Sequence, residues 1–189
     1  MNKKIKVIYG MNSGFIDFYG EYSTTLFFCG CNLRCPYCYN MDIVNGKPKI
    51  SMQELLNYLS NLQKVFSNDK ICVVLSGGEP TINEHFNDIV DELKSKYRLG
   101  IHTNGIVTPE LDNIFESVVL SLKAPSDGIK DDYFKSLVKA IDYYDSCPIK
   151  QIRIVDIPEQ KNWMDKILFD LNNKTKTWKI NYIPKISRE

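Results

Sequence analysis

From residue 24 onward, short apolar β-branched runs alternate with stretches whose apolar residues recur at helical spacing, and this alternation restricts the chain to an α/β architecture. Thr24–Cys29, Ile71–Leu75, Leu99–His102, Val118–Leu122, Ile152–Val155 and Trp178–Ile183 read as six strands. Between them, Ser51-Met52-Gln53-Glu54 has the form of a capping box and opens a helix with Leu55, Leu59, Leu62 and Phe66 on one face. Asn83–Tyr97 reads as a second helix with Phe86, Ile89, Val90 and Leu93 inward, and a brief helix is expected after Pro109. Asp132–Tyr144 and Lys161–Leu171 are amphipathic, the first through Phe134, Leu137, Val138 and Ile141, the second through Met164, Ile167, Leu168 and Leu171. Strands followed by crossover helices imply a parallel sheet, and six are too few to close an eight-fold barrel. The expected fold is a partial (βα)6 barrel: an open parallel sheet with outer helices, over residues 24–183 of a single domain spanning 1–189. Residues 1–23 read as an N-terminal cover or extra strand, with turns at Gly10, Gly14 and Gly20.

Function in such sheets gathers at the carboxyl ends of the strands. Five uncommon clusters fall there in series: the loop Gly30-Cys31-Asn32-Leu33-Arg34-Cys35-Pro36-Tyr37-Cys38-Tyr39-Asn40, then Ser76-Gly77-Gly78-Glu79-Pro80, then His102-Thr103-Asn104-Gly105, then Ser121-Leu122-Lys123, then Arg153 and Asp156. The spacing C-x3-C-x2-C supplies three thiolates from one loop, one fewer than a cubane iron–sulfur cluster normally takes, which would leave one iron open to a small molecule. Simpler readings stand beside this one. Cys29 could complete a structural zinc site with the three cysteines. Gly77-Gly78 could be a tight turn. His102 could be a satisfied strand-end histidine, and Lys123 a solvated strand-end lysine. Cys72 reads as a core residue, Cys147 as incidental and His85 as surface.

The chain has six cysteines, a net charge of +1 and no apolar stretch of membrane-spanning length. The charge gives no electrostatic case for nucleic acid or membrane binding. The start MNKKIKVIYG lacks a signal-peptide apolar region, so a cytoplasmic location is expected. Cysteines in that compartment point to metal or redox chemistry, not to disulfides.

The triad Cys31, Cys35 and Cys38 with Tyr37 before the last cysteine, followed one helix later by Gly77-Gly78-Glu79-Pro80, resembles the radical S-adenosylmethionine (SAM) superfamily. The resemblance implies that Cys31, Cys35 and Cys38 ligate a [4Fe–4S] cluster whose open iron is chelated by SAM. It further implies that Tyr37, Cys38 and Tyr39 line the nucleoside, and that Gly77, Gly78 and Glu79 hold the methionyl ammonium. Thr103, Asn104, Ser121 and Lys123 would sit near the methionine carboxylate or the ribose. The implied reaction is reductive cleavage of SAM to a 5′-deoxyadenosyl radical that takes a hydrogen atom from a substrate.

Within the superfamily the chain looks like the glycyl-radical-enzyme activases, which include the pyruvate formate-lyase activating enzyme and the anaerobic ribonucleotide reductase activating proteins. The segments that carry this likeness are Gly14-Phe15-Ile16-Asp17-Phe18-Tyr19-Gly20, Gly30–Asn40, Thr103-Asn104-Gly105 and Leu122-Lys123-Ala124-Pro125. The partners so implied are a glycyl-radical enzyme as protein substrate and an electron donor such as flavodoxin or ferredoxin. Tyr39 stands where the activases usually have histidine. His102 and Ser121 stand where the pyruvate formate-lyase activators have aspartates that bind a monovalent cation, so the resemblance does not extend to that cation site. Two rival functions are a small-molecule radical SAM enzyme similar to 7-carboxy-7-deazaguanine synthase and a zinc-stabilised α/β binding protein.

Overall fold

The apolar runs become strands because each can bury one face under amphipathic helices, and a computed structural model, described over residues 4–18, 20–66 and 71–184, arranges them in one open sheet. The strands are β1 (Lys6–Ile8), β2 (Gly10–Phe18), β3 (Glu21–Phe28), β4 (Ile50–Ser51), β5 (Cys72–Gly77), β6 (Arg98–Thr103), β7 (Ser117–Leu122), β8 (Ile149–Asp156) and β9 (Lys179–Pro184). The helices are α1 (Met41–Val44), α2 (Met52–Val65), α3 (Phe86–Leu93), α4 (Tyr133–Tyr144) and α5 (Lys161–Leu171). The main sheet runs β2-β3-β5-β6-β7-β8-β9, with β2 antiparallel to β3 and every later pair parallel. The six parallel strands are the six expected ones, and β2 and β9 form open edges.

The two faces of the sheet have different chemistry. Leu75 of β5 and Ile101 of β6 are register partners, and both join the core that α2, α3, α4 and α5 cover. Leu55 and Leu59 of α2, Ile89 and Leu93 of α3, Leu137 and Ile141 of α4, and Met164 and Ile167 of α5 complete that core. Successive residues of a strand point to opposite faces, so Val74, Ser76, His102, Ser121 and Arg153 face the other way. The floor of that second face is closed by Phe18, fully buried against Cys72 and Val74. Gly100 leaves room for it: an added Cβ there would lie 3.1 Å from the Phe18 ring.

The capping box at Ser51 forms as expected, with Glu54 N donating to Ser51 Oγ and Ser51 N donating to the Glu54 carboxylate at 2.7 Å. Other expectations are corrected. Gly10 and Gly14 lie inside β2, because pairing with β3 carries the extended backbone through both; a register irregularity follows Gly14, and Gly20 does take a turn at φ +83°. The first parallel strand begins at Glu21 and ends at Phe28, leaving Cys29 outside it. The helix expected over Asn83–Tyr97 is shortened to Phe86–Leu93, since Pro80–Ile82 forms a 3₁₀ turn and the Asn83 side chain accepts from His85 N–H. His85 is partly buried at the start of α3, not a surface residue.

No helix follows Pro109. There Asn113 accepts from Phe115 N–H and donates to the Tyr143 carbonyl, so side-chain bonds replace helical ones. The N-terminal cover is a strand pair: β1 pairs antiparallel with β4 and places Val7 and Ile8 in the core. Tyr19 of the segment Gly14–Gly20 and the tail 185–189 lie outside the described residues. Phe18→Ala should cost about 3–5 kcal/mol of stability in urea unfolding, because the ring is fully buried against Cys72 and Val74.

Candidate active site

The cysteine loop is shaped by its own backbone before any ligand is considered. Gly30 leaves β3 at φ +83°, and its N–H donates to the Val44 carbonyl at 3.2 Å. The Arg34 guanidinium donates to the carbonyls of Cys31 (2.8 Å) and Leu33 (2.7 Å), holding the first half of the loop as a turn. Cys38 N–H donates to the Cys35 carbonyl at 3.0 Å. Leu33 N–H points at Cys31 Sγ at 3.4 Å. The loop is then laced to the strand beside it. Gly78 N–H donates to the Phe28 carbonyl at 2.9 Å, and Glu79 N–H donates to the Gly30 carbonyl at 2.8 Å. Asn40 donates to the Gly77 carbonyl at 3.2 Å.

These bonds explain the paired glycines. An added Cβ at Gly78 would lie 1.8 Å from the Gly30 carbonyl oxygen, and one at Gly77, whose φ is +109°, would lie 2.6 Å from Phe28 N. The glycines admit the neighbouring backbone, where the sequence suggested only the approach of a ligand. Glu79 is buried, and its carboxylate is shared among four donors. Oε1 accepts from the Thr103 hydroxyl (2.7 Å) and from the Thr81 hydroxyl (2.8 Å) and N–H (3.3 Å); Oε2 accepts from Asn104 N–H at 2.7 Å. Burial raises the Glu79 pKa while these donors oppose the shift. The carboxylate thus ties the end of β5 to the end of β6. Asn104 reaches back to Asn32 of the cysteine loop at 2.8 Å.

Cys31, Cys35, Tyr37, Cys38, Tyr39, Gly77, Gly78, Glu79, Thr103, Asn104, Ser121 and Lys123 all line one cavity at the carboxyl rim. Tyr39 is 78% exposed and stands at its edge, whereas Tyr37 is anchored. Burial pushes the Cys35 thiol up to about 11 and raises Cys31 as well, so both must lose a proton to bind metal. Among the described residues, no three His, Cys, Asp or Glu side chains are close enough to cage a single ion. Cys29, the fourth thiol of the zinc reading, does not line the cavity.

His102 and Arg153 share the deeper wall. His102 Nδ1 lies 3.4 Å from Ser76 Oγ, while its buried Nε2 has no partner among the described residues. Burial, reinforced by the Arg153 charge, lowers the His102 pKa to about 4 against the opposing pull of Asp17. Burial also lowers the Arg153 pKa. Asp156 is the last residue of β8, at the carboxyl end as expected, but it is exposed and does not line the cavity. Cys72 is a core residue as expected, and Cys147 is buried against Asn113.

Sequence reasoning passed over Asp127, Tyr133 and Asn32. Asp127 accepts from the Tyr37 hydroxyl at 2.5 Å, and Tyr133 accepts from Lys123 N–H at 2.9 Å. The run Pro125-Ser126-Asp127-Gly128 reads as an ordinary turn, and nothing local in it announces a contact with the cysteine loop.

One rim of this open, mostly parallel sheet thus carries three cysteines and a glycine–glutamate turn. Comparison with known proteins gives the family: the chain matches the radical SAM superfamily over residues 25–171 and belongs to it. The radical SAM family uses a [4Fe–4S] cluster and SAM. The chain is 27% identical over 153 residues to a Methanocaldococcus jannaschii protein named as a glycyl-radical enzyme activating enzyme, covering 78% of this chain and 60% of that one. It is 36% identical over 95 residues to the 7-carboxy-7-deazaguanine synthase of Hyperthermus butylicus, covering 48% of this chain and 37% of the synthase. The chain thus spans less than two thirds of the length of these relatives. Its fold is similar to native anSMEcpe with bound AdoMet, with a TM-score of 0.61 at 21% identity over 84% of this chain and 49% of that one. No helix among the described residues is long and apolar enough to cross a membrane.

Gly78→Ala should destabilise the protein by about 3 kcal/mol or more in urea unfolding, because the new methyl group meets backbone and not a flexible side chain. A second outcome concerns pH. The folded chain holds His102 neutral down to about pH 4, whereas the unfolded chain protonates it near 6.5. Between those values the unfolded state binds more protons, so stability falls as the pH drops, by up to about 3 kcal/mol. Urea midpoints at pH 7 and pH 4.5 should show this loss in the wild type and a smaller loss in His102→Asn.

Proposed function

We propose that the chain is a radical SAM enzyme of the activase kind, a single radical SAM domain that installs a glycyl radical on a partner enzyme. The observation that carries this reading is the convergence of the cysteine triad, the glycine–glutamate turn and the Thr103, Asn104, Ser121 and Lys123 side chains on one cavity. In this reading Cys31, Cys35 and Cys38 would hold the [4Fe–4S] cluster. The donor set suits it: three soft thiols on one loop, all lining the same cavity. The cluster and SAM supply, when bound, one-electron cleavage of the sulfonium and a carbon radical able to take a hydrogen atom.

The remaining residues bind and orient. The Gly77 carbonyl and the Glu79 carboxylate would face the methionyl ammonium, with the carboxylate already fixed by Thr81, Thr103 and Asn104. Lys123, whose ammonium lies 5.8 Å from the Tyr37 ring centroid, would meet the methionine carboxylate. Tyr37 and Tyr39 would line the nucleoside. Burial under Leu122 and Val155, which also line the cavity, would keep water from a reactive carbon. A protein substrate is supported by the open sheet, whose β9 edge is largely exposed beside the cavity through Ile183 and Pro184, and by the similarity to the archaeal activating enzyme. A flavodoxin or ferredoxin would deliver the electron, in the cytoplasm.

A second reading, a small-molecule radical SAM enzyme, is favoured by the synthase similarity and by the two cations, Lys123 and Arg153, that line the cavity. The deciding experiment is anaerobic. The protein is reconstituted with iron and sulfide, supplied with SAM and reductant, and offered glycyl-radical enzymes of the pyruvate formate-lyase and anaerobic ribonucleotide reductase types. A glycyl doublet in the electron paramagnetic resonance spectrum is the expected result. SAM cleavage with no doublet on any of them would overturn the activase reading. Cys35→Ala should keep the far-ultraviolet circular dichroism of the wild type and lose SAM cleavage entirely.

A further inference from the structure

Behind the cysteine loop lies a carboxylate that none of the roles above uses. Asp127 is fully buried, in the turn that follows β7. Its Oδ2 accepts from the Tyr37 hydroxyl at 2.5 Å and from Ala124 N–H at 2.9 Å. Its backbone carbonyl accepts from Arg34 N–H at 3.2 Å. One residue therefore grips the cysteine loop twice, at Arg34 and at Tyr37, on either side of Cys35. Oδ1 is buried without a partner among the described residues. The short O–H···O distance is that of a hydroxyl bound to an ionised carboxylate.

We propose that Asp127 is a positioning residue that fixes the cysteine loop through Tyr37 and that its buried negative charge lowers the reduction potential of the cluster bound there. This rests on the reading of Cys31, Cys35 and Cys38 as the cluster ligands. The potential of an iron–sulfur cluster follows net charge, hydrogen bonding and solvent exposure around it. Asp127 holds the loop at Arg34 and Tyr37, one and two positions from Cys35, so a negative charge there sits beside the ligand loop and disfavours the added electron. Burial denies that anion the water that would screen it. Lys123 lies 5.8 Å from the Tyr37 ring centroid, and its positive charge acts in the opposite sense. A lower potential makes the reduced cluster a stronger one-electron donor, which cleavage of a sulfonium demands. The same turn begins at Lys123 and Ala124, so the clamp also sets the position of the lysine proposed to meet SAM.

The test compares wild type, Asp127→Asn and Tyr37→Phe after anaerobic reconstitution. Asp127→Asn keeps the side chain's shape and an acceptor for Tyr37, removes the charge, and places an amide NH2 where one carboxylate oxygen had no partner. The midpoint is read by redox titration followed by electron paramagnetic resonance. In Asp127→Asn, the ratio of reduced to oxidised cluster at a fixed poise should rise about tenfold, ~59 mV for one electron. Should that variant not fold, Asp127→Ser removes the same charge with a smaller side chain and is read in the same way. Tyr37→Phe, which keeps the carboxylate and cuts the tether, should lose its cluster to a chelator several-fold faster than wild type. A wild-type midpoint in the charge-removing variant with a full complement of iron and sulfide overturns the proposal. Wild-type protein that takes up no cluster overturns the cluster reading and this proposal together.

Discussion

The site depends on a backbone contact with no room for a side chain. Gly77 and Gly78 lie against Phe28–Gly30, and two N–H groups, of Gly78 and Glu79, donate to the carbonyls of Phe28 and Gly30. That contact extends the β3–β5 ladder past its last strand residues and fixes the start of the cysteine loop to the end of the neighbouring strand. The loop has no regular secondary structure until α1, so without this edge its cysteines would have no fixed relation to the rest of the rim. Glycine is required on the β5 side because only it combines φ +109° at one position with a methyl-free approach at the next.

The second constraint is electrostatic and runs across the strands. Glu79 is buried with its carboxylate divided among Thr81, Thr103 and Asn104, so the ends of β5 and β6 share one charge. Asp127 does the same between the cysteine loop and the turn after β7. A buried carboxylate with several charge-assisted hydrogen bonds is tolerated; the same group with fewer partners is costly. Each of these anions therefore over-determines the position of its neighbours, and together they connect β3, β5, β6 and β7 at one end of the sheet. The opposite, amino-terminal end is closed differently, by Arg98 between Glu21 and Glu116 with its guanidinium 5.1 Å from the Phe18 ring centroid.

Much of this was legible in the residues. Hydrophobic periodicity located the six parallel strands and the helices α2, α4 and α5, because burial of one face is a local pattern with a fixed repeat. The rim residues were legible because strand ends can be counted and because cysteine triads and paired glycines are uncommon there. The missing helix after Pro109 and the shortened α3 were not, since Asn113 and Asn83 satisfy backbone groups with side-chain bonds that compete with helix on nearly equal terms. Asp127 was illegible for another reason: its partner Tyr37 stands 90 residues away, and its own surroundings read as a turn.

The sequence by itself determined the α/β class, the parallel strand count and the gathering of three cysteines in one rim loop, since each is set by residue type and short-range spacing. Only the tertiary structure decided what the glycines make room for, where the Glu79 carboxylate spends its hydrogen bonds, that Phe18 floors the second face, and that Asp127 stands behind Cys35 and Tyr37. These depend on which backbones and charges meet across the sheet, and burial assigns an energy to such meetings only once the strands have been placed side by side.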